Sequence, residues 1–252
     1  MMFRQAIKAV PAVTKLSFTR SSARPLVLVP RMAQFSTSVS RMSAPDAKTL
    51  VQQELDYEKN DAFDLDPSFV AYMKNENIKA IEPKEHAFSH MIKEWNDEKV
   101  HVLFDIQKIT FATHANKQIN EEIGSEEEQS EVFSAGMTET ADLSVVLEKN
   151  GKALQFDLDL SPDEYHFIIN GVRTFDSVDL ALDYSSNSVD QKDLLYSGPL
   201  FENLSLEMQD MFYDLLRERG VDEELGELLV AYATWKENNM YIDWLEKLQS
   251  FV

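Results

Sequence analysis

Three observations predict an α+β protein. Period-two hydrophobic alternation fills the middle of the chain, three- and four-residue helical spacing fills its ends, and Asn-Asp and Asn-Gly pairs separate alternating runs. The expected architecture is a twisted antiparallel sheet of about seven strands, flanked by one N-terminal and two C-terminal helices.

The first 45 residues stand apart by charge. Arg4, Lys8, Lys15, Arg20, Arg24, Arg31 and Arg41 precede the first acid, Asp46, and are interleaved with Ser, Thr, Ala and Val. This is the composition of a mitochondrial presequence, cut between Ala33 and Pro45. No unbroken apolar core precedes a small-residue cleavage site, and the run Pro25 to Pro30 is too short to span a bilayer. Residues 46–252 are then read as one domain.

Leu50, Val51, Leu55 and Glu58 trace a short amphipathic helix within Ala47 to Asn60. Asp66-Pro67 offers an N-cap with proline at N1 for a brief helical turn through Phe69, Val70 and Met73. Past Asn77 the period becomes two, with strands expected over Ile78 to Pro83 and Ala87 to Trp95 and a turn at Asn96-Asp97. Val100, Val102, Phe104 and Ile106 alternate with His101, Leu103, Asp105 and Gln107, as in a half-buried strand. From Ala115 to about Thr140 apolar residues nearly vanish. The stretch carries Glu121, Glu122, Glu126, Glu127, Glu128 and Glu131, and is expected to be a disordered acidic loop, because so few apolar groups cannot offset the entropy of ordering.

Leu143, Val145 and Leu147 resume the strand pattern, Asn150-Gly151 marks a hairpin, and Leu154, Phe156, Leu158 and Leu160 return with Gln155, Asp157 and Asp159 on the wet face. Phe167 to Phe175 reads as a further strand, Asp176 to Asp193 as a second acidic loop, and Tyr196 to Phe201 as a last short strand. Two helices follow. Asn203 or Ser205 caps the first, whose apolar face is Leu206, Met208, Met211, Phe212, Leu215 and Leu216. Gly220 ends it in the left-handed C′ position, with Val221 as the hydrophobic partner of a Schellman cap. Asp222 caps the second helix. With Leu228 as origin, Leu225, Leu229, Tyr232 and Trp235 lie within roughly 100°, whereas Tyr241, Trp244, Leu245, Leu248 and Phe251 cluster near roughly 200°. A helix whose apolar face changes sides either breaks near Asn238 and Asn239 or is gripped by different partners along its length.

The only other amphipathic helix is the one around Leu50 and Leu55. Pairing of the first and last helices is therefore expected, with Leu50, Leu55, Tyr241, Trp244, Leu245, Leu248 and Phe251 forming a contact between subunits together with one sheet edge.

Composition narrows the function classes. The chain has 24 Lys+Arg against 44 Asp+Glu, a net charge of −20; seven of those cations precede Asp46, leaving 17 against 44 and −27 over residues 46–252. Such a field repels phosphate backbones and anionic lipid and draws cationic proteins. Direct nucleic-acid binding and a membrane span are not expected; basic proteins are. The lack of cysteine excludes disulfides, thiolate catalysis and Cys-type metal sites.

No constellation points to chemistry. His86 and His90 are four apart but lie where a strand begins, without a third ligand nearby. His101, His114 and His166 read as isolated surface or strand-face residues. Glycines form neither GxGxxG nor P-loop. Asp157 and Asp159, with Asp105 beside them, are carboxylate neighbours of the kind that 44 acids produce by chance. Asp179, Asp183 and Asp190 lack the EF-hand glycine. No cofactor is expected. The alternatives to a binding scaffold are an enzyme with an unrecognised site and an acidic divalent-cation buffer.

Glu218-Arg219-Gly220-Val221-Asp222 between the helices, and the terminal run Tyr241-Ile242-Asp243-Trp244-Leu245-Glu246-Lys247-Leu248-Gln249-Ser250-Phe251-Val252, resemble the mitochondrial acidic matrix protein family. The basic N-terminal stretch, the strand block with an acidic insertion and the −27 charge agree with it. The resemblance covers Asp46 to Val252 and is looser in the strands, most of all from Asn77 to Trp95. It implies a twisted antiparallel sheet with flanking terminal helices, a doughnut-shaped homotrimer in the mitochondrial matrix and no enzymatic activity. It also implies capture of basic proteins, including mitochondrial ribosomal or respiratory-chain assembly proteins, with roles in mitochondrial ribosome function and oxidative phosphorylation.

Overall fold

Six strands, each antiparallel to the next and joined in chain order, form one sheet among the described residues. The computed structural model describes residues 46–81, 85–123, 139–185, 188, 191–192 and 194–252, with only the backbone of 119–123. The strands are β1 (Ile78–Ala80), β2 (Phe88–Trp95), β3 (Glu98–Asp105), β4 (Ala141–Lys149), β5 (Lys152–Leu160) and β6 (Phe167–Phe175). The helices are α1 (Ala47–Asp61), α2 (Pro67–Asn75), α3 (Ile106–Ile123), α4 (Val178–Leu182), α5 (Leu206–Arg217) and α6 (Glu223–Phe251).

Alternation sets the two faces. Met91, Val100, Val102, Phe104, Val145, Phe156, Leu158 and Ile169 form the apolar face, buried under Ile106, Ile109 and Ala112 of α3, Leu216 of α5 and Leu225, Leu228, Leu229 and Tyr232 of α6. Burial at about 25 cal/mol per Å² makes this layer the main source of stability. The opposite face carries a smaller core of Leu103, Val146, Ala153 and Phe175, covered by Ala181 and its neighbours on α4. Two-residue turns set the registers: Asn96-Asp97 closes Trp95 on Glu98, and Asn150-Gly151, both at positive φ, close Lys149 on Lys152.

The α5–α6 turn forms the anticipated Schellman motif. Val221 N–H donates to the Leu216 carbonyl and Gly220 N–H to that of Arg217, both at 3.0 Å, with Gly220 at φ 74°. Asp222 then caps α6, its carboxylate accepting Leu225 N–H at 3.2 Å. Gly226 in the first turns of α6 has a packing cause, since a Cβ there would come within 2.2 Å of the Tyr165 carbonyl oxygen. Beside the turn a buried ion cluster joins it to the β2–β3 hairpin. Arg219 Nε donates to Glu98 Oε2 at 2.7 Å, Lys149 Nζ donates to Glu98 Oε1 at 2.8 Å, and the guanidinium lies over the Trp95 ring.

Several expectations are corrected. The strand expected through Gln107 ends at Asp105, whose carboxylate accepts Gln107 N–H at 2.9 Å and starts a helix. That helix, α3, extends to Ile123, so residues 115–123 of the expected disordered loop are helical. The apolar groups Ile106, Ile109 and Ala112 anchor its first half on the sheet, and Asn116 Nδ2 donates to the Glu139 carbonyl at 3.0 Å. Residues 124–138 lie outside the described residues. Tyr196 to Phe201 is not a strand: Gly198 sits at φ 82°, Pro199 has no N–H to donate, and Phe201–Asn203 forms a 3-10 turn. The segment from Asp176 onward contains α4 rather than loop alone, β1 is limited to three residues, and residues 82–84 at the expected end of that strand lie outside the described residues. The last helix does not break at Asn238 and Asn239; α6 is continuous for 29 residues.

Candidate functional site

The change of apolar face along α6 is resolved by two sets of neighbours. Leu225, Leu228, Leu229 and Tyr232 pack on the sheet, whereas the second half of α6 lies against α1. Gln52 meets Gln249 near the start of α1 and Glu58 meets Asn238 near its end, so the two helices run antiparallel. Tyr241 Oη donates to Glu54 at 3.2 Å and Lys59 pairs with Glu246 at 2.6 Å. Leu55 and Leu245 are the buried groups of the pair.

The predicted contact residues divide into two sets. Leu55 and Leu245 are enclosed, and Tyr241 and Leu248 are half-buried. Leu50, Trp244 (54% exposed) and Phe251 (89% exposed) face outward, with Tyr57 also exposed. Trp244 and Tyr241 stack with ring centroids 5.9 Å apart. Glu54, Asp56, Glu58, Asp243 and Glu246 accompany this outward stripe in sequence. The acids predicted to capture partners are placed less fully: Glu121 and Glu122 fall in the last turn of α3, while Glu126, Glu127, Glu128 and Glu131 lie outside the described residues.

Two polar networks on the second face of the sheet were not anticipated. His90 and His101 meet across β2 and β3, with His90 Nε2 3.0 Å from His101 Nδ1, and His101 Nε2 lies 3.1 Å from Glu148 Oε2. Burial holds the His101 imidazole below the usual histidine range, against the opposing pull of Glu148. The neutral ring therefore donates Nε2–H to Glu148 and accepts from His90, and the contact is a hydrogen bond rather than a salt bridge at neutral pH. Burial alone would raise the Glu148 carboxyl, but the bonds from His101 and Lys99 outweigh it and pull it down. His101 is thus neither isolated nor exposed, whereas His86 and His114 are exposed. The signal was available in the cross-strand arithmetic, because β2 and β3 close on Asn96-Asp97.

In the second network Arg173 donates from Nε and Nη2 to Asp157 Oδ2 at 3.0 and 2.6 Å, and Gln155 Nε2 donates to Asp157 Oδ1 at 2.8 Å. Lys192 reaches in from the segment after α4, donating to the Ala181 carbonyl at 2.7 Å with its ammonium over the Tyr184 ring. Burial, with Arg173 nearby, holds the Lys192 ammonium below the usual lysine range. Gln155, expected on the wet face, is buried. Among the described residues no group of three His, Asp or Glu is placed to hold a metal ion, and no helix is long and apolar enough to cross a membrane.

The Mitochondrial glycoprotein (MAM33) family profile matches residues 51–252. The chain belongs to this family. It is 27% identical over 240 residues to the mitochondrial acidic protein mam33 of Schizosaccharomyces pombe, covering 87% of this chain and 85% of that one. It is 30% identical over 154 residues to the bovine mitochondrial complement component 1 Q subcomponent-binding protein, covering 58% of this chain and 55% of that one. Among solved structures, a Leishmania major protein described as a sequence homologue of human p32 superposes with a TM-score of 0.60 at 22% identity, over 81% of this chain and 96% of that one. The Trypanosoma brucei p22 protein gives 0.59 at 23%, over 81% and 95%. These two likenesses bear on the fold. With relatives named as mitochondrial, this member of the family is assigned to the mitochondrial matrix.

Proposed function

We propose that the protein is a non-enzymatic acidic scaffold of the mitochondrial matrix that captures basic proteins and acts on them in a chaperone-like way, in support of mitochondrial ribosome function and oxidative phosphorylation. The observation that carries this reading is the net charge of −27 over residues 46–252, held on one folded unit. Clefts and loops of one sign raise the local concentration of opposite charge and speed encounter. In this reading residues 1–45 are a presequence removed on import. Glu121, Glu122, Glu126, Glu127, Glu128 and Glu131 form the first capture element, and the outward stripe of α1 and α6 forms a subunit contact in a homotrimer. The chain holds no cysteine and so no thiolate chemistry, and the reading assigns no catalytic residue to it.

The test is association kinetics with a basic matrix protein over a salt series. The screening length falls from about 10 Å at 0.1 M to about 3 Å at 1 M, so affinity is expected to drop steeply. Changing the six glutamates to glutamine is expected to slow association more than it speeds dissociation. Salt-insensitive binding would replace this reading with an apolar groove.

A further inference from the structure

On the second face of the sheet two adjoining cavities, of about 420 and 330 Å³, share Asp157, Asn170, Arg173 and Lys192 in their walls. We propose that they bind a protonated phosphate group, held between Lys192 and Arg173 and read by Gln155. None of its residues belongs to the helix stripe or to the glutamates invoked for protein capture.

Spare hydrogen-bonding capacity identifies the ligand. Lys192 is 6% exposed, and its ammonium, with three N–H groups, makes one hydrogen bond among the described residues, to the Ala181 carbonyl. Arg173 uses Nε and Nη2 on Asp157, leaving Nη1 for another acceptor. Two cations with unused donors thus share one cavity wall in a chain of net charge −20. Their neighbour Asp157 is already engaged by Arg173 and Gln155. Burial and the nearby Arg173 lower the basicity of Lys192 against the opposing pull of Asp183 and Asp157, as for a cation held in a desolvated cavity. In the other sense, Gln155 is 4% exposed, and its Oε1 is buried without a hydrogen-bond partner. A buried acceptor left unpaired calls for a donor. An oxyanion with a hydroxyl meets both demands, whereas sulfate meets only the first.

The backbone makes the room. A β-bulge inserts Asn170 into β6, so that Gly171 rather than a larger side chain stands opposite Asp157. A Cβ built at Gly171 meets only Asp157 Oδ2, at 3.7 Å, and Gly171 lines the smaller cavity. Bulges recur beside sites because they re-aim side chains in this way.

Calorimetric titration of the full chain with inorganic phosphate, sulfate and glycerol phosphate tests the proposal. Phosphate is expected to bind at least about tenfold more tightly than sulfate, and Arg173→Gln to weaken it by about tenfold or more, in keeping with a bond to a charged group. Gln155→Leu is expected to remove the preference over sulfate. Gly171→Val keeps every charge and fills the cavity, so it serves should Arg173→Gln fail to fold; it is expected to abolish binding. Tighter binding of glycerol phosphate makes a phosphomonoester the source, and tighter binding of phosphate makes it the free ion. Equal affinity for sulfate and phosphate, binding that survives both Arg173→Gln and Gly171→Val, or no binding by the wild type would each overturn it. Binding seen only after Asp190→Asn or Asp193→Asn would also overturn it, by showing that the chain's own acid fills the site. Capture of basic proteins is expected to be unchanged in Gly171→Val, which separates this site from the scaffold reading.

Discussion

Residues buried with their charge are where single changes cost most. Glu98 and Arg219 are each 7% exposed and hydrogen-bonded to each other. The bond from Arg219, aided by Lys149 and opposed by burial, holds the Glu98 carboxyl below the usual range. Arg219→Met leaves Glu98 with Lys149 alone and is expected to cost about 3 kcal/mol, measured by urea unfolding. Glu98→Leu with Arg219→Met should recover most of that loss, because the buried charge is gone as well. His101 gives the pH prediction. Its folded-state basicity is depressed by burial, so the native state favours the neutral ring, while the unfolded ring takes a proton near pH ~6.5. The stabilisation is therefore present above that pH and lost as pH falls through it. Melting temperature is expected to decline from pH 8 to pH 5, and His101→Gln to flatten that decline; an unchanged slope in the variant would place the titrating group elsewhere.

Elements show why some of the fold was legible in the sequence. Turns written in Asn-Gly and Asn-Asp, the Gly220 cap and the alternation of β3 to β5 are local signals, and each specifies its element without help from distant residues. Helix α3 was hidden because its helix-forming contacts are tertiary: Ile106 continued the strand alternation, and only the covering sheet and α6 distinguish the two periods at that point. The polar networks were hidden for a related reason. Gln155 and His101 follow a wet-face pattern, and their burial depends on neighbours from other strands and segments that the local period does not show. These are His90 and Glu148 for His101, and the cavity wall with Tyr184 and Lys192 for Gln155. Of the residues expected at the subunit contact, Leu55 and Leu245 turn out to be enclosed within one chain. That placement predicts a separable unit. Leu245→Ala is expected to cost about 2–5 kcal/mol locally and to raise hydrogen exchange of α1 amides while strand amides of β3 to β5 stay protected. A uniform loss of protection would show instead that α1 unfolds only with the sheet.

For the whole molecule, charge and apolar surface pull in opposite directions. A unit of net charge −27 repels its own copies, so self-association needs apolar contact strong enough to offset that field. The outward stripe of Leu50, Tyr57, Trp244 and Phe251 supplies such a surface on two paired helices. Salt then acts with opposite signs on the two proposed activities. Between about 0.05 and 0.5 M salt, screening weakens capture of basic proteins but relieves repulsion between copies, so the assembled species should become more populated. Sedimentation across that series is the measurement. Leu248→Asp places a charge at the half-buried edge of the α1–α6 pair and is expected to shift the protein to monomer at every salt concentration. Trp244→Ala removes a largely exposed ring together with its stack on Tyr241, and should weaken assembly at a smaller cost to the single chain than loss of the enclosed Leu245. If the wild type sediments as a monomer throughout, or if Leu248→Asp keeps the wild-type mass, the stripe has another role and the subunit contact lies elsewhere.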